Sequence, residues 1–188
     1  EDGNPIGICM EGTPSRFGRN CVMLKVGIKA KEIRESRRKN AILTFVIDTS
    51  GSMDMENRLE LVKKCLRLLI DNLEEEDRVA IVVYHDNTEV ILNHTGLEDR
   101  NEILEAIKRL GPSGSTYAEA GLKLGYKLAS ENFKKDCINR VILCSDGVAN
   151  VGQTGAGEIL KEIRKYAKKG IYLSTFGFGM GNYNDILM

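Results

Sequence analysis

The chain has 188 residues, 42% of them hydrophobic, which is enough for one domain with a sizeable core and an appended arm. Lysine plus arginine and aspartate plus glutamate both number 27, so the formal net charge is zero. This balance argues against a nucleic-acid-binding or anionic-membrane surface. No apolar run reaches the roughly 18 residues of a membrane span, and no signal-peptide pattern is present. Because the chain begins at Glu1 rather than Met, these residues do not fix its compartment.

Residues 1–40 are predicted to form an N-terminal arm. Glycines punctuate residues 1–20, which indicates irregular structure. Residues 22–28 alternate between apolar and other side chains, as an edge strand does, and a charged linker follows. Cys9 and Cys21 flank part of this arm, and the sequence leaves open whether they pair in an oxidising compartment.

The pattern changes at residue 41, where short and almost continuous apolar runs begin. Such runs are typical of parallel strands that are covered on both faces, and amphipathic helical segments separate them. A further short run at 88–92 indicates an antiparallel hairpin partner. We therefore predict an α/β fold with a doubly wound, mostly parallel sheet, helices on both faces and one antiparallel edge strand. The predicted parallel strands are residues 41–47, 79–84, 140–145 and 171–178.

Oxygen-bearing side chains follow the predicted strands. Asp48 ends the first of them, with Ser50 and Ser52 in the next turn. Thr116 comes just before a predicted helix, and Asp146 follows the strand at 140–145. The carboxyl ends of parallel strands form the functional crevice of such folds. Hydroxyls with only two carboxylates suit Mg²⁺ or Mn²⁺ better than zinc or copper. The alternative for residues 48–52 alone is a helix N-cap.

These residues resemble a known family. Residues 48–52 (DTSGS) match the DxSxS signature of von Willebrand factor type A (VWA) domains, and Thr116 and Asp146 lie in turns similar to the other two parts of that family's metal-ion-dependent adhesion site. The resemblance covers residues 41–188, and its C-terminal part is most similar to a bacterial branch with an often envelope-associated polypeptide. It implies a Rossmann-like fold. The family usually closes with another helix after the last strand, so we expect the domain to be truncated at Met188.

The resemblance also implies roles for the five candidate metal-site residues. The hydroxyls of Ser50, Ser52 and Thr116 would bind Mg²⁺ or Mn²⁺, and Asp48 and Asp146 would act largely through water. A protein partner would offer an Asp or Glu carboxylate to the metal, without nucleic acid and without direct membrane insertion. The alternative function is a subunit that docks on an ATPase in a remodelling or metal-insertion machine. The resemblance alone favours a cell-envelope or extracytoplasmic location.

Enzymatic functions are not expected. A phosphoaspartyl phosphatase needs a second Asp two residues after the first, but Ser50 occupies that position. The glycines at 152–157 do not complete a dinucleotide-binding motif, and no Walker A sequence is present. The two histidines, His85 and His94, lie around the predicted hairpin without a nucleophile elbow. We therefore predict no catalytic residues and no organic cofactor.

Overall fold

A computed structural model describes residues 6–18, 20–30, 38–114, 117–147 and 155–179. The chain divides into two compact units, Glu1–Arg38 and Lys39–Met188. No described helix is both long enough and apolar enough to cross a membrane.

The first unit contains a β-hairpin. Strand β1 (Ile6–Pro14) pairs antiparallel with β2 (Val22–Ala30), and Ile8 lies opposite Ile28. We expected an irregular stretch over residues 1–20, but apolar side chains alternate there with glycine and polar residues, and this alternation forms a second strand. The register places the apolar side chains of both strands on one face, where all are exposed: Ile6, Ile8, Met10, Val22, Leu24, Val26 and Ile28.

The second unit is built on a five-stranded sheet. The strands span Ala41–Asp48 (β3), Arg78–Tyr84 (β4), Thr88–Gly96 (β5), Ile138–Ser145 (β6) and Ile171–Gly177 (β7). Their order in the sheet is β5-β4-β3-β6-β7; β4, β3, β6 and β7 run parallel, and β5 is antiparallel to β4. The predicted sheet and its antiparallel edge strand are thereby confirmed.

Helices cover both faces of the sheet. The helices span Arg58–Ile70 (α1), Arg100–Arg109 (α2), Ala118–Glu131 (α3) and Gly155–Lys168 (α4), and 3₁₀ turns span Gly51–Asn57 and Leu97–Asp99. Two hydrophobic clusters form: side chains of α1 and α2 pack on one face of the sheet, and those of α3 and α4 pack on the other. Every residue of β3 is buried, as expected for the central strand.

Helix α3 approaches the sheet closely through a glycine. A Cβ atom on Gly121 would lie 2.7 Å from the Tyr84 ring, so only glycine fits there without a shift. Tyr84 ends β4 and is completely buried. The absence of a side chain at position 121 therefore lets the Tyr84 ring lie between the helix and the sheet, next to the end of β3.

Candidate metal centre

Asp48 is the last residue of the central strand β3, and its carboxylate is fully buried. Its Oδ1 accepts a 2.9 Å hydrogen bond from the backbone N–H of Ser50. Its Oδ2 accepts hydrogen bonds from the Ser145 hydroxyl at 3.0 Å and from the Tyr84 hydroxyl at 3.3 Å. Donors from three segments of the chain thus fix the orientation of this carboxylate.

Burial makes the charged form of Asp48 costly. Desolvation raises the pKa of this carboxyl above its usual range, hydrogen bonds from Ser50 and Ser145 oppose the rise, and the nearby Asp146 charge adds to it. Burial also raises the pKa of Tyr84 well above its ordinary value, so its hydroxyl stays protonated and remains a donor. A cation bound beside Asp48 would favour the charged carboxylate and offset the cost of its burial.

The hydroxyls of Ser50 and Ser52 lie side by side. Their Oγ atoms are 3.1 Å apart; Ser50 is buried, whereas Ser52 is partly exposed. Two adjacent oxygen ligands at about 2.1 Å from an octahedral Mg²⁺ would be separated by about 3 Å. The spacing of these two hydroxyls therefore fits neighbouring positions on a small octahedral cation, and the exposure of Ser52 opens this side to solvent.

Asp146 follows β6 and forms a buried ion pair. Its Oδ2 accepts a 2.8 Å hydrogen bond from Nη1 of Arg58, the first residue of α1, and both side chains are almost inaccessible to solvent. The same Nη1 donates a 3.4 Å hydrogen bond to the Ser52 carbonyl oxygen. Arg58 thus connects the turn after β3 with the turn after β6.

Thr116 and the neighbouring Ser115 lie outside the described residues. The segment just before them is joined to the turn after β3, because the Gly51 N–H donates to the Gly114 carbonyl at 3.0 Å. A second bond of 2.6 Å runs from the Ser113 N–H to the Thr49 carbonyl. The chain leading to Thr116 therefore lies at the same edge of the sheet as Asp48.

The structure brings together four of the five predicted residues, Asp48, Ser50, Ser52 and Asp146, in the part of the chain that it describes. Sequence reasoning missed three of the side chains that contact the two carboxylates, namely Ser145, Tyr84 and Arg58. Two of them could have been suspected from the sequence, because Ser145 directly precedes Asp146 and Tyr84 carries the only hydroxyl at the end of the 79–84 run. No sequence pattern indicated a role for Arg58, because its partner Asp146 lies 88 positions away in the chain.

Comparisons with known proteins agree with this architecture. The family model of the von Willebrand factor type A domain matches residues 43–188. An uncharacterised Escherichia coli K12 protein, YfbK, is 38% identical over 184 residues; the match covers 98% of this chain but only 32% of the relative. The chain thus spans about a third of that relative's length.

Solved structures are similar in fold. Manganese-loaded TRAP protein from Plasmodium vivax superposes with a TM-score of 0.63 at 23% identity, covering 79% of this chain and 61% of that one. BatB from Bacteroides thetaiotaomicron has a TM-score of 0.60 at 23% identity, covering 73% and 66%. The family is often metal-dependent and involved in protein interactions. With its family-model match, its doubly wound sheet and its DxSxS turn after β3, the chain belongs to the von Willebrand factor type A domain family.

Proposed function

We propose that this domain is a divalent-metal-dependent protein-interaction module with a metal-ion-dependent adhesion site. The observation that carries the proposal is the pair of hydroxyls of Ser50 and Ser52, 3.1 Å apart. They lie in the turn after β3, next to the buried carboxylate of Asp48, and Arg58 links this turn to the buried Asp146 in the turn after β6. Oxygen donors with this spacing suit Mg²⁺ or Mn²⁺.

The residues divide into two kinds by chemistry. Ser50, Ser52 and Thr116 would hold the cation through neutral hydroxyl oxygens. Asp48 and Asp146 would accept protons from its bound water molecules and orient them. When bound, the cation supplies a poorly neutralised positive centre that attracts an outside anion. An Asp or Glu side chain on a protein partner is the anion that we propose.

Binding of Mn²⁺ alone is the first test, measured from the loss of the free Mn²⁺ electron paramagnetic resonance signal. The wild type should bind one equivalent. Asp48→Ala, Thr116→Ala and the double variant Ser50→Ala with Ser52→Ala should bind at least about tenfold more weakly while circular dichroism stays native. Folded variants that bind Mn²⁺ as tightly as the wild type would contradict the metal site and favour the alternative that residues 48–52 only cap a helix.

The partner chemistry needs a separate test. A displayed peptide library would be selected on the immobilised domain in Mn²⁺ and eluted with EDTA. Recovered peptides should share an Asp or Glu, and replacing it by Asn or Gln should abolish binding. Peptides that lack an acidic residue, or that stay bound in EDTA, would contradict carboxylate recognition by a metal.

A further inference from the structure

Arg58 is a buried cation in contact with one carboxylate of the candidate metal centre. Its side chain is 4% exposed, the Asp146 side chain is 0% exposed, and 2.8 Å separates Nη1 from Oδ2. A charge pair enclosed in this way is screened far less by water than a surface pair. Arg58 therefore compensates the charge of Asp146 in this structure.

The chain leaving β7 helps to enclose the guanidinium group. A Cβ on Gly179 would lie 2.9 Å from Arg58 Nε, and Gly179 has a φ of +123°, which side chains rarely adopt. The backbone at position 179 thus lies directly against the guanidinium group. An arginine held between two turns and a third backbone segment has little freedom to move away from Asp146.

The charges of the centre follow from this pairing. Asp48 and Asp146 contribute −2 and Arg58 contributes +1, so these three buried side chains sum to −1. A divalent cation would bring the sum to +1. Without Arg58, the same cation would bring it to zero, and its attraction for an outside carboxylate would be smaller.

We propose that Arg58 is a built-in counter-ion of Asp146 that lowers the metal affinity of the site and leaves the occupied site with an excess positive charge for the partner's carboxylate. This inference rests on the proposed function, because it concerns the same metal. It makes Arg58 a positioning and affinity-setting residue rather than a ligand. If Arg58 had a purely structural role, replacing it would change the metal affinity in the opposite direction, because loss of Arg58 would disorder Asp146 and weaken metal binding.

The test measures Mn²⁺ affinity of the whole chain in variants that remove or keep the charge. Arg58→Gln and Arg58→Met should bind Mn²⁺ about tenfold more tightly or better, because a nearby positive charge is gone. Arg58→Lys, which keeps the charge, should stay within about threefold of the wild type. The double variant Arg58→Met with Asp146→Asn restores the sum of −1 and should also return to within about threefold.

Calorimetric melting in EDTA gives a readout without metal. Arg58→Gln and Arg58→Met should melt several degrees lower than the wild type, since a buried carboxylate loses its counter-ion, and Mn²⁺ should raise their melting temperature more than it raises that of the wild type. A variant that is unfolded in EDTA but folds in Mn²⁺ supports the proposal. A variant that Mn²⁺ does not restore, or one that is folded with unchanged or weaker Mn²⁺ affinity, overturns it.

The outcomes separate this inference from the proposed function. If the wild type binds Mn²⁺ and the neutral variants bind it no more tightly, the role of Arg58 is wrong and the adhesion-site proposal stands. If the wild type binds no Mn²⁺ but Arg58→Gln does, the adhesion-site proposal fails for the native chain; Arg58 then still opposes metal binding, but its proposed effect on the charge of the occupied site is overturned. If neither protein binds, both proposals fail.

Discussion

Ser145 and Asp48 are joined by a buried hydrogen bond of 3.0 Å between neighbouring strands, although 97 positions separate them in the chain. The Ser145 hydroxyl also accepts a 3.2 Å hydrogen bond from the Gly147 N–H. One hydroxyl thus ties the carboxylate at the end of β3 to the turn that carries Asp146. The orientation of Asp48 depends on the packing of β6 as much as on its own loop.

Ser145→Ala should lower the free energy of unfolding by about 1–3 kcal/mol, because it removes a donor from a buried carboxylate. Mn²⁺ affinity should fall by about tenfold, since Asp48 is then less firmly oriented. Urea unfolding in EDTA and Mn²⁺ titration measure the two effects. Tyr84→Phe removes another side-chain donor to Asp48 and serves as the matched comparison. Unchanged stability and unchanged Mn²⁺ affinity in both variants would contradict this account of Asp48.

Gly121→Ala should destabilise the domain by about 1–3 kcal/mol, because the new Cβ would overlap the Tyr84 ring. The displaced ring carries one of the hydroxyl donors of Asp48, so Mn²⁺ affinity should fall as well. Gly157→Ala is the control, since a Cβ there meets nothing within 4 Å. In α4 that substitution should be neutral or stabilising by up to about 1 kcal/mol. Equal melting temperatures for the two alanine variants would argue against the close approach of α3.

The free energy of unfolding should decrease as the pH falls from about 6.5 to about 4, because His94 titrates differently in the folded and unfolded states. Burial, with a smaller effect of Arg78, lowers the pKa of this imidazole to about 4, and its Nε2 lies 3.0 Å from the Thr44 hydroxyl. An unfolded histidine has a pKa of about 6.5, so between these values the unfolded state binds more protons and the folded state loses stability as pH falls.

The expected loss from His94 between pH 7 and pH 5 is about 1–2 kcal/mol. Urea unfolding at both pH values measures it. His94→Gln removes the titrating group and keeps an amide that can reach Thr44, so its stability should depend less on pH over this range. A variant whose pH dependence equals that of the wild type would exclude His94 as the cause.

Purified protein should show no Mg²⁺-dependent hydrolysis of phosphomonoesters, nucleotides or esters above background. The reason is chemical: Asp48 is enclosed by donors, and the second Asp that a phosphoaspartyl mechanism needs is replaced by Ser50. Assays with Mg²⁺ or Mn²⁺ and Asp48→Asn as the comparison test this expectation. Turnover that disappears in Asp48→Asn would contradict the interaction-module proposal.

Local patterns predicted the sheet because each strand of the second unit is an apolar run with its own boundaries. Val46 and Ile47, for example, contact opposite helical layers, which is why the run lacks alternation. For the hairpin of the first unit, the sequence predicted the second strand, β2, but not the first, β1. In β1 the apolar side chains are separated by Gly7 and Cys9, so their period of two was hidden in a segment that otherwise suggested irregular structure.

One part of the candidate metal centre could likewise be predicted from the sequence, and another part could not. Asp48, Ser50 and Ser52 form one continuous motif, and motifs of this kind are visible without a structure. The ion pair of Arg58 with Asp146 is not visible, because an arginine at the start of an amphipathic helix normally indicates a solvated position. Only the three-dimensional packing places it beside a carboxylate from another strand.

The strand order also determines when the centre can assemble. Strand β3 lies between β4, which follows it closely in the chain, and β6, which begins 90 residues after β3 ends. During synthesis from the N-terminus, β3 and β4 can pair early, but Ser145 and Asp146 emerge much later. Pairs so distant in sequence close slowly, because the loop entropy is lost before the contacts form. We therefore expect the two carboxylates to come together in a late step of folding, and a cation that binds beside them would speed refolding only if that step limits the rate.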